Sequence, residues 1–316
     1  LLWNPNIDVN KEVSGYFNDR YSKKLASVLS NYYNFITEAF YRSNKELSIY
    51  SGIHQTAKKY LDPKVFFSFY KEFETHVQAN KFNKDFLKLA TALTFLKLEI
   101  MRDYGFGVYG FANLNAANEI IVKNSVGDLL NNLTAFSKSS KLYQYNEIGF
   151  SLEDYITSWR KSMYRNHKKK NYFYKKPFTI LSKIDEDYKN TKILNDGAFG
   201  LKDYNTNWHI ASVDNLILKI NKISIENSSK IIFNFLQDQS HNIFFPSSIE
   251  IFDEQFKSIK KLTLDKDETQ IGTKEITLNL PNTFDKKDLP EIFIIKINKS
   301  KRQGKNALAC DEIIFN

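Results

Sequence analysis

The chain has 316 residues, of which 42% are hydrophobic and 26% charged, a composition typical of folded globular domains and unlike that of disordered chains. Its formal net charge is +9, but acids alternate with the lysines, and the one dense basic run, residues 167–170, accompanies no nucleic-acid motif. A nucleic-acid partner is therefore not expected. The sequence contains no run of about 18 apolar residues, so no membrane span is predicted. It has a single cysteine, Cys310, which excludes an intrachain disulfide.

Two domains are expected, because single hydrophobic cores rarely grow past about 250 residues. In the first half, apolar side chains recur every three to four residues and predict a series of helices. They are expected over about residues 13–40, after Asp62-Pro63, from Asn83 to Gly105, over about 118–137, and from Ser151 to Tyr164. The glycine-rich residues 105–117 interrupt this pattern and either line a pocket or fold back as a hydrophobic plug.

Beyond Pro177 the helical period gives way to short runs in which apolar residues alternate. Strands are expected at Leu216–Ile220, Ile231–Leu236, Ile249–Phe252, Ile276–Leu280, Ile292–Ile297 and Glu312–Phe315. Short strands at this spacing predict an antiparallel β-sandwich or jelly roll. The predicted fold is thus a multidomain α and β chain, with an α-helical bundle over residues 1–170 and a β-sandwich over 171–316.

One stretch of the second half carries a family resemblance. Asn195-Asp196-Gly197, Asp203-Tyr204, Trp208 and Phe235-Leu236-Gln237-Asp238-Gln239 occur in an order that resembles the C-terminal β-sandwich of many bacterial β-N-acetylhexosaminidases. Those modules are similar to the galactose-binding-like, or discoidin, superfamily. The resemblance implies the same kind of sandwich here, and with it a glycan ligand.

The first half resembles a second group of proteins through Trp3-Asn4-Pro5 and the helix that follows. It is similar to the helical region downstream of the barrel in a bacterial family related to α-glucuronidases and hexosaminidases. The resemblance implies a non-catalytic accessory part of a carbohydrate-active protein, with a catalytic barrel expected before Leu1. It also implies a location in the bacterial envelope, periplasmic or secreted, with the cytoplasm as the alternative.

The discoidin resemblance further implies a structural calcium held by Asp196, Thr206 and Glu312. Calcium takes 6 to 8 oxygen ligands, and the surrounding loop is rich in carbonyl, amide and carboxylate oxygens. The alternative is that Asn195-Asp196-Gly197 forms a plain turn in which Asp196 caps its own backbone.

Sugar-binding residues are sought among loop aromatics, because flat rings stack on the C–H faces of sugars while polar groups bind the hydroxyls. The candidates are Tyr204, Trp208, His209, His241 and Phe244. Trp208 has an alternative role, in which its ring packs the loop onto the core.

Catalytic residues are not predicted. Glycoside hydrolysis needs two carboxylates across an open cleft, and adjacent acids such as Asp311-Glu312 should point to opposite faces of a strand. The histidines at 54, 76, 167, 209 and 241 have no metal-ligand spacing. The alternatives to a glycan-binding accessory role are a structural module that dimerises through the helical domain and, less favoured, a hydrolase site within this chain.

Overall fold

A computed structural model describes residues 6–44, 60–146, 149–185, 191–222, 228–265, 269–280, 290–302 and 304–316. Trp3, Asn4, Pro5 and His54, which the sequence analysis used, lie outside these ranges. The chain divides into two compact units, the first comprising Leu1–Phe111 and Lys123–Ile156 and the second Ala112–Val122 and Thr157–Asn316. This division is discontinuous in sequence, and the domain boundary near residue 170 stays a prediction.

The described helices are α1 (Val9–Arg20), α2 (Lys23–Ser43), α3 (Pro63–Glu74), α4 (Lys84–Tyr104), α5 (Asn124–Ser140) and α6 (Leu152–Asn166). Three start signals were predicted correctly. The Asp62 carboxylate caps α3, the Asn83 amide oxygen accepts from two backbone N–H groups of α4, and Ser151 Oγ accepts from the Asp154 N–H at 3.0 Å. None of the described helices is both long and apolar enough to cross a bilayer.

Two helix predictions were wrong. The helix expected over residues 13–40 is broken at Tyr21, whose extended backbone ends α1, and Ser22 then caps α2. A single apolar stripe runs through both helices, so periodicity alone does not reveal the break. The helix expected over 118–137 begins only at Asn124, because the β-branched run Ile120–Val122 pairs with Ala112–Leu114 as a hairpin.

The core of the first unit is aromatic. Tyr32 of α2 stacks on Phe69 of α3 with ring centroids 3.8 Å apart, and Phe73 of α3 stacks on Phe86 of α4 at 4.9 Å. These contacts hold consecutive helices together through large rings, which contribute more buried apolar area than aliphatic side chains do.

The strands are β1 (Ala112–Leu114), β2 (Ile120–Val122), β3 (Phe178–Ile180), β4 (His209–Ala211), β5 (Leu216–Asn221), β6 (Lys230–Asp238), β7 (Ser248–Phe252), β8 (Ser258–Thr263), β9 (Ile271–Asn279), β10 (Ile292–Asn298) and β11 (Leu308–Phe315). Besides the β1-β2 hairpin they form a five-stranded sheet, β3-β5-β10-β7-β8, and a four-stranded sheet, β4-β11-β6-β9. From β4 onward the chain crosses repeatedly from one sheet to the other. The predicted order, a helical first half followed by an antiparallel β-sandwich, is therefore confirmed.

The two faces of the four-stranded sheet are both buried. Phe233 and Phe235 point into the main core, where they meet the five-stranded sheet. Ile232 and Leu236 point the other way and are covered by Phe199 and Trp208. Residues 195–208, which supply this cover, are called the outer layer below.

Candidate functional site

Three connections of the sandwich emerge at one end. Asn298 of β10 pairs with Ser248 of β7, and Ser248 pairs in turn with Thr263 of β8. The chain therefore leaves β8 and β10, and enters β7, at the same edge. Loops gathered in this way at the end of a rigid sandwich are a common location for ligand sites.

These connections enclose a cleft of about 270 Å³, which we call the loop-end cleft. Its lining combines aromatic rings, hydroxyls, an amide and charged groups, and consists of Gln237, Phe244, Phe245, Pro246, Ser247, Thr263, Leu264, Asp265, Ser300, Lys301 and Arg302. Binding pockets for drug-sized molecules usually measure about 300 to 1,000 Å³. The loop-end cleft therefore has room for one small molecule.

Arginine and lysine side chains lie against the aromatic rings of the cleft. The Arg302 guanidinium carbon is 4.5 Å from the centroid of the Phe244 ring, and Lys274 Nζ is 5.5 Å from that of Phe245. Such cation–π contacts restrict the orientation of a guanidinium that would otherwise sample many rotamers. The aromatic pair thus supplies an apolar surface and also positions Arg302.

Gln237 braces the cleft from the end of β6. Its Oε1 accepts a hydrogen bond from the Phe245 N–H at 3.1 Å, and its Nε2 donates to the Thr269 carbonyl. Ser247 donates from Oγ to the Lys299 carbonyl at 2.8 Å. These bonds join the loops to one another, so the shape of the cleft is set by the protein itself.

Two of the five predicted sugar-contact residues form a separate pair. The rings of Tyr204 and His241 lie with centroids 4.3 Å apart. Asp238 Oδ2 is 2.7 Å from His241 Nδ1, which orients the imidazole so that Nε2 points away from the carboxylate. The His241 side chain is 41% exposed, so this pair is accessible to a ligand.

Trp208 and His209 are buried, with 4% and 2% of their surfaces exposed. Trp208 Nε1 donates to the Leu201 carbonyl at 2.6 Å, and its ring lies directly against Gly200. His209 lies in β4, where burial lowers its pKa to about 4. Neither ring presents a face to solvent on which a sugar could stack, and Trp208 performs the packing role considered above. Phe244, the fifth candidate, borders the loop-end cleft, although only 6% of its surface is exposed.

The predicted calcium ligands come together only in part. Glu312 Oε2 accepts from the Gly197 N–H, and Oε1 from Asn171 Nδ2, both at 2.8 Å. Burial, and then the nearby Asp196 carboxylate, raise the pKa of Glu312 well above its usual range. Thr206 accepts at its carbonyl from the Leu201 N–H at 3.2 Å.

Asp196 and Glu312 are oxygen donors of the kind that calcium prefers. Both Glu312 oxygens already accept from N–H donors, and Asp196 Oδ1 accepts from the Ala198 N–H at 2.8 Å, as the alternative cap requires. No group of three or more His, Cys, Asp or Glu that could hold a metal occurs in the described ranges. As folded, these oxygens accept hydrogen bonds that hold the outer layer to β11, an arrangement called the latch below, and calcium stays a prediction.

The expectation that Asp311 and Glu312 point to opposite faces was wrong. A β-bulge shifts the β11–β6 register between Cys310 and Ile313, so that both acids oppose the single residue Asn234. Asp311 accepts from the Gly200 N–H and from Asn234 Nδ2, and burial raises its pKa to about 7. Both acids therefore hold the outer layer, and both are fully buried.

Sequence reasoning missed most of the cleft. It identified Phe244 within an aromatic-rich connection, but not Asp265, Lys301 or Arg302. One feature of the sequence could have indicated the cleft. Residues 299–302, between the last two strands, are rich in lysine and arginine, which is typical of an exposed loop and not of a buried strand.

No family model matches the chain, and no curated protein matches it. Among solved structures, the chain is similar to a Streptococcus pneumoniae fucose binding module, SpX-3, with 16% identity and a TM-score of 0.31, over 47% of this chain and 98% of that module. The chain is also similar to the lectin domain of lectinolysin complexed with Lewis B antigen, with 10% identity and a TM-score of 0.32, over 47% of this chain and 96% of that domain. Similarity to the enzymatically active domain of tailspike protein 4 of bacteriophage CBA120 is weaker, with 12% identity and a TM-score of 0.22, over 34% of this chain and 15% of that chain. At these scores the likenesses carry no argument about function.

Proposed function

We propose that the β-sandwich binds carbohydrate in the loop-end cleft. The observation that carries this proposal is the lining, in which hydroxyls, an acid and two cations lie beside an amide and two mostly buried aromatic rings within about 270 Å³. Sugars need an apolar surface for their C–H faces and polar groups for their hydroxyls. A cleft braced before the ligand arrives also reduces the entropy that binding must overcome.

The Tyr204–His241 pair is proposed as a second contact surface. It lies on the opposite side of β6 from Gln237, because Asp238, which holds His241, and Gln237 are consecutive residues of that strand. The two surfaces are therefore separate, and a glycan that contacts both must pass around the end of β6.

The wider role that fits this proposal is that of an accessory part of a bacterial carbohydrate-active protein, in the periplasm or secreted. In such a role the module holds substrate near a catalytic barrel and does no chemistry itself. The adjacent acids Asp311 and Glu312 are buried, which argues against their use on a substrate. We expect no release of nitrophenol from chromogenic hexosaminides or glucuronides by this chain.

A glycan array of neutral and acidic oligosaccharides tests the binding function. The full chain should bind a subset of the array, and Arg302→Ala should remove that binding. Lys257→Ala is the matched control, since it also deletes a cation but lies in the exposed turn before β8, at the opposite end of that strand. Absence of binding to every glycan, or binding that survives Arg302→Ala unchanged, would refute the proposal.

The alternative is a structural module that pairs through the helical unit. Large side chains are exposed there, with Phe82 87% and Tyr41 74% accessible. Light scattering on the full chain would distinguish the two functions, because the alternative requires a dimer together with an array that binds nothing.

A further inference from the structure

We propose that three main-chain carbonyls at the cleft end of the sandwich form a cation site, which Lys299 fills with its own ammonium group. The carbonyls are those of Ser212, Val213 and Asn306. This built-in cation ties together the connections that enclose the loop-end cleft, so Lys299 is a positioning residue for that cleft. The role in ligand binding rests on the proposed function, whereas the cation site does not.

Strand pairing brings the three carbonyls together from two connections. The last residue of β4 pairs with the first residue of β11, so the chain leaving β4 and the chain entering β11 lie side by side. Ser212 and Val213 belong to the first of these segments and Asn306 to the second. Lys299 reaches them from the five-stranded sheet, since it directly follows β10. The ammonium group therefore bridges the ends of the two sheets.

The distances in the site match an ammonium group. Nζ of the lysine lies 2.8 Å from the Ser212 carbonyl oxygen, 3.2 Å from that of Val213 and 3.0 Å from that of Asn306. A lysine ammonium has three N–H donors and no acceptor, so its three donors are used within the protein. Calcium takes 6 to 8 oxygen ligands at about 2.3 to 2.6 Å. The site is therefore too wide and has too few oxygens for calcium.

A positive charge at this point has a physical reason. Carbonyls that converge on one point repel one another through the negative ends of their dipoles, and a cation between them turns that repulsion into attraction. An ammonium donates in three directions from a single atom, whereas the donors of a guanidinium lie in one plane and are spread over three nitrogens. Arginine is therefore not an equivalent of lysine at position 299.

The backbone of Lys299 extends the clamp to the cleft. Its N–H donates to Asn215 Oδ1 at 2.9 Å, and its carbonyl accepts from Ser247 Oγ at 2.8 Å. Ser247 lines the cleft from the connection between β6 and β7, and Ser300 and Lys301, the next residues along the chain, line it as well. Lys299 thus joins three connections, and its ammonium fixes the position of the cleft wall that follows it.

The cation site is tested by deleting the ammonium and returning it as a separate molecule. Lys299→Ala should lower the temperature of thermal unfolding by about 4 °C or more, because three charge-assisted hydrogen bonds are lost. Propylammonium chloride replaces the deleted atoms, from Cγ to Nζ, and should recover much of that loss by binding the folded state. Tetramethylammonium chloride carries the charge without an N–H donor and should recover none.

Lys257→Ala is the matched control, since it also deletes a lysine side chain but lies in the exposed turn before β8. It should shift the unfolding temperature little, with or without propylammonium.

A second measurement uses the unchanged protein and does not depend on a variant that folds. Three hydrogen bonds should slow the exchange of the Lys299 ammonium hydrogens with water. Its nuclear magnetic resonance signal, assigned through couplings along the side chain, should therefore persist under conditions in which that of the exposed Lys257 has exchanged away.

The role of the clamp in ligand binding is tested on the glycan array. Lys299→Ala should lose binding, because the wall that carries Ser300 and Lys301 is released. Propylammonium should restore the binding, and tetramethylammonium should not.

Three results would each overturn the cation site: a loss of stability no larger in Lys299→Ala than in Lys257→Ala, equal recovery with the two salts, or rapid exchange of the Lys299 ammonium. Glycan binding that survives Lys299→Ala unchanged would overturn the positioning role. If the unchanged protein binds no glycan while the stability and exchange results are as expected, the cation site stands and the proposed function is refuted instead.

Discussion

The outer layer and the loop-end cleft are built from similar residues and differ in the solvent access of their charged groups. In the outer layer the Trp208 ring and the carboxylates of Asp311 and Glu312 are buried, and their polar atoms bind protein donors and acceptors. In the cleft the Phe244 ring is also buried, with 6% of its surface exposed, but the charged side chains of Asp265 and Lys301 are exposed. Aromatic and charged residues in a loop therefore do not identify a binding site until it is known what covers them.

The largest effect on stability is expected in the outer layer. Glu312→Ala leaves the Gly197 N–H and Asn171 Nδ2 without their buried acceptor and opens a cavity. The free energy of unfolding should fall by about 3 to 5 kcal/mol. Urea unfolding followed by tryptophan fluorescence measures the change, and a loss below about 1 kcal/mol would show that the latch is not structural.

A smaller loss is expected where the loop touches Trp208. The Cβ of Gly200→Ala would overlap the Trp208 ring, so the variant should lose about 1 to 3 kcal/mol. Gly127→Ala in α5 is the matched control, since nothing lies within 4 Å of its new methyl group. It should gain about 0.5 to 1 kcal/mol from helix propensity. Equal effects of the two substitutions on thermal unfolding would contradict the packing role of Trp208.

The pH dependence of stability sharpens the contrast further. Burial raises the pKa of Asp311 from 3.8 to about 7, so the folded state holds a proton that the unfolded state releases. The associated stabilisation is complete below about pH 4 and is lost as pH rises toward 7, by at most about 1.4 kcal/mol per pH unit. Relative to the unchanged protein, Asp311→Asn should therefore become more stable as pH rises through this window. A stability difference that stays constant from pH 4 to 7 would rule out this buried titration.

The smallest effect on stability is expected in the cleft. Arg302→Ala removes the cation–π contact with Phe244, so it should lower the free energy of unfolding by only about 1 kcal/mol while removing glycan binding. Differential scanning calorimetry alongside the array measures both quantities. A large destabilisation would mean that Arg302, like the outer-layer acids, holds the fold together.

Local signals in the sequence predicted the elements well. Helix caps such as Asp62 and Asn83 act within a few residues, and alternation identified β6 and β10. The strands that were missed are short or charged: β1, β2, β3 and β4 have three residues each, and the lysines of the edge strand β8 mask its alternation.

The candidate site was less predictable, because its residues are joined only by tertiary structure. Phe244 follows β6, Asp265 follows β8 and Arg302 follows β10, so no local pattern connects them. The direction of Asp311 and Glu312 depended on a bulge that alternation does not reveal. The sequence left two roles open for Trp208, a sugar contact or a packing residue, and the packing of its ring against Gly200 supports the second.

The most direct test of the account is a map of ligand contacts by nuclear magnetic resonance. The full chain, labelled with nitrogen-15, would be titrated with methyl galactoside, methyl glucoside and the corresponding methyl uronides. The account predicts that shifted backbone amides cluster at residues 237, 244, 245, 247, 263–265 and 300–302. Shifts that cluster in the outer layer at 195–208, or no shifts with any sugar, would contradict it.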